Sequence, residues 1–526
     1  EGVNVQGDLY DIQFAEALLT ETGAVNLDHL SSKYLNDHKT TELLYQWCAD
    51  YYGGKADHKQ RANMYRTPPR LAGPYAKGDV ELPFKILYKQ LIELNNQGLT
   101  KLFRRECQAI PLLVAMRTEG VRVDVAKAEH VYDRLDKRVT EKQHELAQVV
   151  GFDININASK SIEKAFIAEG LPYSFTAKNN PSFTKDFLET VEHPLPRAIV
   201  AIRELVKLRD TFLKSYILES HIDGRLHCQF HPLRGDDYGT RSGRHSSSNP
   251  NLQNIPIRSD LGRIIRSIFV PDYGHARWIR YDASQIEYRF LAHFAQGPGS
   301  DALRKTYIDD PKTDYHSLTQ KLVAASTGVH LDRKPTKNIN FGFIYGMGRK
   351  TLAANLGIDS IKADKLFDAY HEGAPFAKST MDYYTNDAKR FGFIKTIANR
   401  RSRFDLFEPK NWSNDKHPAL PYDRAVKAYG LDVIRAFAYK ALNRVLQGSA
   451  AEVMKECMLQ CYEQGVFDIT GLPKLTVHAE LDFSDKGSTD KAFDHVKYTF
   501  EKAIKLRVPL LVDKEAGPNW GELTNA

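Results

Sequence analysis

Cysteine is scarce in this chain: Cys48, Cys107, Cys228, Cys457 and Cys461 are the five among 526 residues. An odd, scattered set excludes the disulfide framework of a small secreted scaffold and favours a cytosolic or viral-intracellular setting. Cys457 and Cys461 stand four apart on an expected helix. No neighbouring His or Cys completes a metal set, so both are assigned to core packing. Long apolar runs are missing as well. Nothing approaches the roughly 18 consecutive apolar residues of a membrane-spanning helix. There is no repeat of fixed period and no low-complexity tract, which excludes a solenoid. The opening residues, EGVNVQGDLYDIQ, have neither the basic start nor the apolar centre of a secretory signal, nor an initiating methionine. The chain is therefore expected to begin inside a longer protein. Strong charge imbalance is the last absence: 73 Lys and Arg stand against 66 Asp and Glu, for a net charge of +7. A polyanionic partner is permitted by this balance but not required.

What is present is the composition of a multidomain globular protein, 42% hydrophobic and 26% charged, with a length that predicts roughly three to four structural units. Residues up to about 95 mix short helical patterns with a Pro/Gly-rich break at TPPRLAGP. Charged amphipathic helices are expected from about 96 to 220, in KLFRRE, AKAEHVYDRLDKRVTEKQHELAQ and AIRELVKLRDTFLKSYI. HIDGRLHCQFHPL reads as strand and turn, and the polar GDDYGTRSGRHSSSNPNLQNIP that follows reads as a contact-making loop. Helical periodicity then dominates from about 285 to 460, and strand patterns return near Leu475 and at VPLLVD. The strands are thus expected to be split by a helical insertion.

Several stretches carry chemistry. WIRYDASQIEYRFLAHFA begins as an apolar strand and turns into a helix with Ile286, Phe290 and Phe294 at helical spacing, leaving Asp282 at the strand end. An acid there can hold a hard cation through oxygen; it can equally be a helix-start acid favoured by the dipole. In DRKPTKNINFGFIYGMG, Arg333, Lys337, Phe341 and Tyr345 are each four apart, two cations preceding two aromatics on one slanting helical stripe. A core does not readily take an unpaired Arg and Lys, whereas a nucleotide needs cations for its phosphates and a flat surface for its base. The loop offers Arg241 and Arg244, three serines, and the amides of Asn249, Asn251, Gln253 and Asn254, groups suited to phosphates and the minor groove or simply to solvent. Arg400, Arg401 and Arg403 form a basic cluster that is either a contact or an exposed face. Finally, LTVHAELDFS places His478, Ala479 and Glu480 between two strand-like pieces. A two-carboxylate site would fit there if residue 479 were acidic.

Taken together, these stretches resemble the family A DNA polymerases, most closely the phage members, over nearly the whole chain. DASQIEYR is similar to the first palm motif, RKPTKNINFGFIYG to the fingers helix, and VHAEL to the second palm motif, normally His-Asp-Glu. TRSGRHSSSNPNLQNIPIR is similar to the primer-template loop, NRVLQGSAAEVMK to the template-side helix, and EGVRVD with HPLPRAIVAIRELVKLRDTF to the thumb. The resemblance implies an α+β right hand: a partial RNase H-like 3′–5′ exonuclease domain (1–95), thumb (96–225), palm (226–290), fingers (291–430) and palm again (431–526). It implies template-directed addition of dNTPs to a primer 3′ hydroxyl, with two Mg²⁺ ions, or Mn²⁺ in their place, and primer-template DNA as partner; a monomer is expected.

By the same resemblance, Asp282 and the Ala283 carbonyl would hold metal, and Glu480 would belong to the catalytic group. Arg333 and Lys337 would hold the triphosphate, with Lys337 as a proton donor. Phe341 would stack on the incoming base, Tyr345 would gate the templating base, and Glu287 would fill the space of a ribose 2′ hydroxyl. Gln285 and Ile286 would also line the dNTP site. Arg241, Arg244, Asn254, Arg400, Arg401, Asn443, Gln447 and His478 would contact DNA. Two departures stand out. Ala479 occupies the position of the second metal-binding aspartate, which implies strongly impaired catalysis. Tyr75 and Asp79 fit the Tyr-x-x-x-Asp motif of the exonuclease, but the stretches that should supply its earlier acids are missing. The alternative is a non-catalytic primer-template binding protein. A single-subunit RNA polymerase of related fold is disfavoured by Glu287.

Overall fold

The computed structural model describes residues 6–37, 41–176, 178–328, 330, 332–344, 346–411, 417–487 and 490–526. At its centre lies an antiparallel sheet of five strands: β1 (Arg277–Ala283), β2 (Leu475–Val477), β3 (Glu480–Asp485), β4 (Val512–Asn519) and β5 (Glu522–Asn525). Their spatial order is β2-β3-β1-β4-β5. The middle strand β1 is therefore earliest in sequence, and residues 284–474 are inserted before the sheet resumes. The expected split of the strands by a helical insertion is observed.

Alternation explains the two faces of the sheet. Ile279 and Tyr281 on β1, with Leu481 and Phe483 on β3, are fully buried and pack against the helix Asp490–Lys502, whose Phe493 carbonyl accepts the Tyr281 hydroxyl at 2.7 Å. On the other face, β1 presents Arg280 and Asp282, β3 presents Glu480 and Asp482, and β4 presents Asp513 and Glu515. Pleating thus sends aliphatic and aromatic groups one way and ionisable groups the other. Trp278 and Trp520, both fully buried, close the far end of the polar face.

Helices surround this sheet. In the N-terminal part, α1 (Pro69–Asn96) begins with proline at its first turn and holds Pro74 and Pro83 inside. The break expected at TPPRLAGP is thus narrower than its composition suggested, because proline at the first helical position forfeits no hydrogen bond. Next, α2 (Val125–Val150), capped by Asp124 through the Lys127 amide at 2.9 Å, packs on the helical stretch that runs from Pro194 to Leu218. Within the insertion, α3 (Ile286–Phe294) follows β1 directly, and α4 (Tyr315–Thr327) packs against α5 (Arg333–Ile344). The long α6 (Ala441–Glu463) is buried on most of its surface and carries the buried Cys457 and Cys461 as core groups.

The insertion is not uniformly helical. Phe393–Lys395 pairs with Arg401–Arg403, and Leu406–Pro409 lies between Leu420–Pro421 and Val433–Arg435 in a small three-stranded sheet. These strands are too short for period-two alternation to register in the sequence. The polar loop likewise holds a short strand, Ser246–Ser248, paired with Gln229–His231. Ser247 and Ser248 are buried there, contrary to the expectation of an unpacked loop.

The corner between β1 and α3 is pinned by a residue that periodicity did not single out. Arg289, 1% exposed, donates to the carbonyls of Ser284, Pro509 and Pro311 at 2.7–2.8 Å. One guanidinium thereby ties the strand end to the segment leading into β4 and to the segment leading into α4. Arg289→Met keeps the volume but leaves three carbonyls unpaired. A loss of about 3 kcal/mol or more is expected, read as a drop in thermal midpoint with far-UV circular dichroism of the folded state unchanged.

Candidate active site

The site forms where β1 ends. Glu480 pairs with Asp282 across β3, and Asp513 pairs with Asp282 across β4, so three carboxylates stand abreast on the polar face. His478 and Ala479 are the two residues of the turn joining β2 to β3. His478 has a positive φ of 56°, as two-residue hairpin turns favour at their first position. A non-glycine residue there costs roughly 1 kcal/mol. The Ala479 carbonyl accepts the Ala283 amide at 3.3 Å. The alanine turn is thus seated directly against the strand end that carries Asp282.

Asp282 is exposed at its strand end, yet the surrounding protein pushes its pKa up to about 7. Desolvation is the largest cause; Glu480 adds to it, Arg280 opposes it, and Asp513 and Glu515 raise it further. Behind it, Asp482 is fully buried with its carboxyl pushed up to about 8, first by burial and then by Glu480, against the hydrogen bond from Trp278 Nε1 at 2.8 Å. Arg280 bridges outward to Glu515 and lies 4.0 Å from Glu480. Arg266, stacked 3.9 Å over the Trp520 ring, lies 3.7 Å from the same Glu480 oxygen. Asp482, Asp513, Glu515, Arg266 and Arg280 were not singled out from the sequence. Alternation in β1, β3 and β4 contains the signal, but only the pairing register shows which acids share a face.

A hard divalent cation takes oxygen ligands, and Asp282 with the Ala283 carbonyl provides that chemistry. The Ala479 methyl provides no donor. Among the described residues, no group of three or more His, Cys, Asp or Glu side chains is arranged to hold a metal ion. The oxygen donors at this strand end are Asp282 and the Ala283 carbonyl, with the Glu480 and Asp513 carboxylates on the neighbouring strands.

On the insertion side, Arg333 and Lys337 are exposed on α5, with Pro335 in its first turn. Arg333 Nη1 donates to Asp314 at 2.7 Å and to Ser317 at 3.0 Å. Burial pushes the Asp314 carboxyl up, but the Ser317 and Arg333 hydrogen bonds outweigh it and the net shift is downward. Phe341 is half-buried, with its ring 5.4 Å from Tyr288 on α3. Tyr288 in turn stacks on Tyr315 at 4.5 Å, so aromatic contacts couple α5 to the helix that follows Asp282. Tyr345 lies outside the described residues.

Glu287, on the first turn of α3, forms an ion pair with Arg244 of the polar loop at 2.8 Å. The loop is further tied to the sheet by Gln253 Nε2, which donates to the Thr476 carbonyl at 2.8 Å. Gln285 adopts φ 49° at the entrance to α3, and its side-chain oxygen accepts the Tyr315 amide at 3.1 Å. Ile286 is buried. Arg241 and Asn254 are exposed, whereas Asn443 and Gln447 are half-buried on α6.

Two basic residues sit differently from a simple contact surface. Arg400 is 5% exposed and is engaged by Glu106 and Glu452 inside the protein. A Cβ on Gly243, at φ +80°, would lie 2.7 Å from the Arg400 guanidinium. Arg400 therefore underlies the loop that carries Arg241 and Arg244 and does not face solvent. Arg401 donates to the Gln97 carbonyl at 3.1 Å and lies over Phe393. Tyr75 and Asp79 are both half-buried on α1, remote in sequence from this site.

A strand-borne acid, a facing turn and an adjacent helix bearing cations and an aromatic thus meet at one end of the sheet, and comparison with known proteins shows the family. The model of DNA polymerase family A matches residues 125–522, and the chain belongs to that family. DNA polymerase DpoZ of Vibrio phage phiVC8 is 29% identical over 521 residues, covering 95% of this chain and 79% of that protein. DNA polymerase DpoZ of Salmonella phage PMBT28 is 28% identical, with 97% and 84% covered. DNA polymerase I of Bacillus subtilis is 30% identical over 84% of this chain and 48% of its own length. The solved POL domain of Pol1 from M. smegmatis, in complex with DNA primer-template and dNTP, superposes with a TM-score of 0.75 at 23% identity, covering 97% of this chain and 82% of that one. It shares the fold.

The cluster around the turn makes a titration prediction. Desolvation chiefly lowers the His478 pKa, and Arg244 lowers it further, while Glu480 and Glu287 oppose. Arg244→Ala removes a positive neighbour and should shift the His478 titration upward by NMR. An unchanged or lower midpoint would contradict the proximity of the two groups.

Proposed function

We infer that this chain is a template-directed DNA polymerase of the phage replicative type, with its own catalysis strongly impaired by Ala479. The observation that supports the reading is the His478–Ala479 turn seated against the Asp282–Ala283 strand end, at the position where the family motif carries a second carboxylate. The phage relatives, both called DNA polymerase DpoZ, support the same class. On this reading residues 96–225 are thumb, 226–290 and 431–526 palm, and 291–430 fingers. Residues 1–95 are a partial exonuclease domain bearing Tyr75 and Asp79. The protein acts as a monomer on primer-template DNA in the cytoplasm of an infected cell.

Asp282 and the Ala283 carbonyl are the place for Mg²⁺, with Mn²⁺ as a substitute. When bound, such ions neutralise charge on the transferring phosphoryl group and its attacking and leaving oxygens. The chain's own residues do the rest. Arg333 and Lys337 hold the triphosphate, which must compete with Asp314 for the Arg333 guanidinium. Lys337, exposed on α5, is the proton donor to the departing pyrophosphate on this reading. Phe341 stacks on the base, braced by Tyr288, and Tyr345 gates the templating position. Glu287, fixed by Arg244, fills the space of a 2′ hydroxyl and so selects deoxynucleotides. Arg244, Asn443, Gln447 and His478 follow the minor groove, where acceptors vary little among correct pairs. Arg241, Asn254 and Arg401 meet the DNA backbone, and Arg400 supports the loop from beneath.

Ala479 also favours a second reading, a protein that binds primer-template without extending it. Primer extension with Mg²⁺ and all four dNTPs separates the two. The Ala479→Asp variant should extend at least about 10³-fold faster than the unaltered chain, the scale expected for restoring a principal ligand or charge stabiliser. If neither extends although both bind primer-template, the binding protein is the better description. In the Ala479→Asp background, Glu287→Ala should raise ribonucleotide incorporation relative to deoxynucleotide. An unchanged ratio would remove Glu287 from sugar selection.

A further inference from the structure

Glu480 occupies an unusual electrostatic position. Its register partner is Asp282, and directly opposed side chains have Cβ atoms about 4.5–5.5 Å apart. A free Glu480 carboxylate could therefore come alongside Asp282. Its Oε2 lies 4.0 Å from Arg280 and 3.7 Å from Arg266. Arg280 sits two residues back along β1 from Asp282, on the same face, with side-chain exposure of 13%. Two residues of strand amount to about 6.5 Å, so its pull on Glu480 is away from the open strand end. Arg266 pulls from the side of Trp520 and is itself anchored by donation to the Ile255 carbonyl at 3.1 Å.

Glu480 Oε2, Arg266 Nε and Nη1, and Arg280 Nε are buried without hydrogen-bond partners. At this oxygen Glu480 is held by charge at 3.7–4.0 Å and not by a short directed hydrogen bond. Such a group can move when the charge holding it is removed. Arg280 is itself braced by Glu515, its neighbour across β4, which keeps its guanidinium from following Glu480 forward.

We propose that Arg280 is a positioning residue that, with Arg266, holds the Glu480 carboxylate back from Asp282, so that a divalent cation at the strand end meets one carboxylate instead of two. This inference rests on the reading of Asp282 as the cation-holding group. It assigns Ala479 and Arg280 distinct effects: the alanine removes one ligand, and the arginine withholds the nearest substitute.

The test is Mn²⁺ titration of the full chain by electron paramagnetic resonance, without DNA or nucleotide. Arg280→Met should tighten Mn²⁺ binding about 5- to 10-fold, the scale of one added carboxylate oxygen at an exposed site. Adding Glu480→Gln to Arg280→Met should abolish the gain. If the gain persists undiminished in the double variant, it reflects only the lost positive charge and the proposal fails. Folded Arg280→Met that binds no more tightly than the unaltered chain also overturns it. Should Arg280→Met not fold, Arg280→Lys decides. It keeps the charge but cannot reach Glu480 and Glu515 together, and it should give a gain of about 2-fold that Glu480→Gln removes; no gain counts against the proposal. Asp282→Asn reports on the underlying reading. If it leaves Mn²⁺ binding unchanged, the assignment of Asp282 falls, and the proposal with it. Binding that depends on Asp282 but is insensitive to Arg280 sinks the proposal alone.

Discussion

The register of β3 on β1 is the constraint on which the site depends. Glu480 opposes Asp282, Leu481 opposes Tyr281 and Phe483 opposes Ile279. A slip by one residue would send Leu481 and Phe483 to the polar face and bury Glu480 and Asp482 against the helix Asp490–Lys502. The fully buried Ile279, Tyr281, Leu481 and Phe483 exclude that arrangement. Hydrophobic burial on one side of the sheet thus fixes, to within a residue, which carboxylates meet on the other. The Ala479 turn faces Ala283 as a further result of the same pairing.

The polar face then has to manage its own charge. Burial first, and then repulsion from Glu480, make Asp282 and Asp482 both resist ionisation. Arg266 and Arg280 offset part of this, one stacked on Trp520 and the other bridged to Glu515. Similar logic operates at Arg400, which lies among Glu106, Glu452 and Lys455 beneath the polar loop. Buried charges of this kind are tolerated because they are paired, and removing one partner is far costlier than the pair is worth. The two clusters differ in setting. Arg400 and its partners stabilise a support, whereas Arg266 and Arg280 border the acid at the open strand end.

Local pattern was enough to find much of this architecture. The strand-to-helix transition at Asp282, the helix bearing Arg333, Lys337 and Phe341, and the helical insertion splitting the sheet all follow from periodicity over a few turns. The short strands between Phe393 and Arg435 did not show, since two to four residues carry too little alternation. Site residues divide along similar lines. Asp282 and Ala479 stood out through motif resemblance. The Arg244–Glu287 and Arg333–Asp314 pairs, 43 and 19 residues apart, did not, because no local rule links a loop arginine to a distant helix or an exposed cation to the preceding helix.

Sequence alone determined the class of protein, the helical insertion between its strands and the alanine at position 479, because each is written in residues close together along the chain. Tertiary structure decided how the remaining charges are shared. It turned Arg400 inward, gave Glu287 to Arg244, and set Asp513, Asp282 and Glu480 side by side from three separate strands. Such neighbours are chosen by the packing of the sheet's buried face, whose hydrophobic contacts are long-range and leave no signature in the spacing of the polar residues they align.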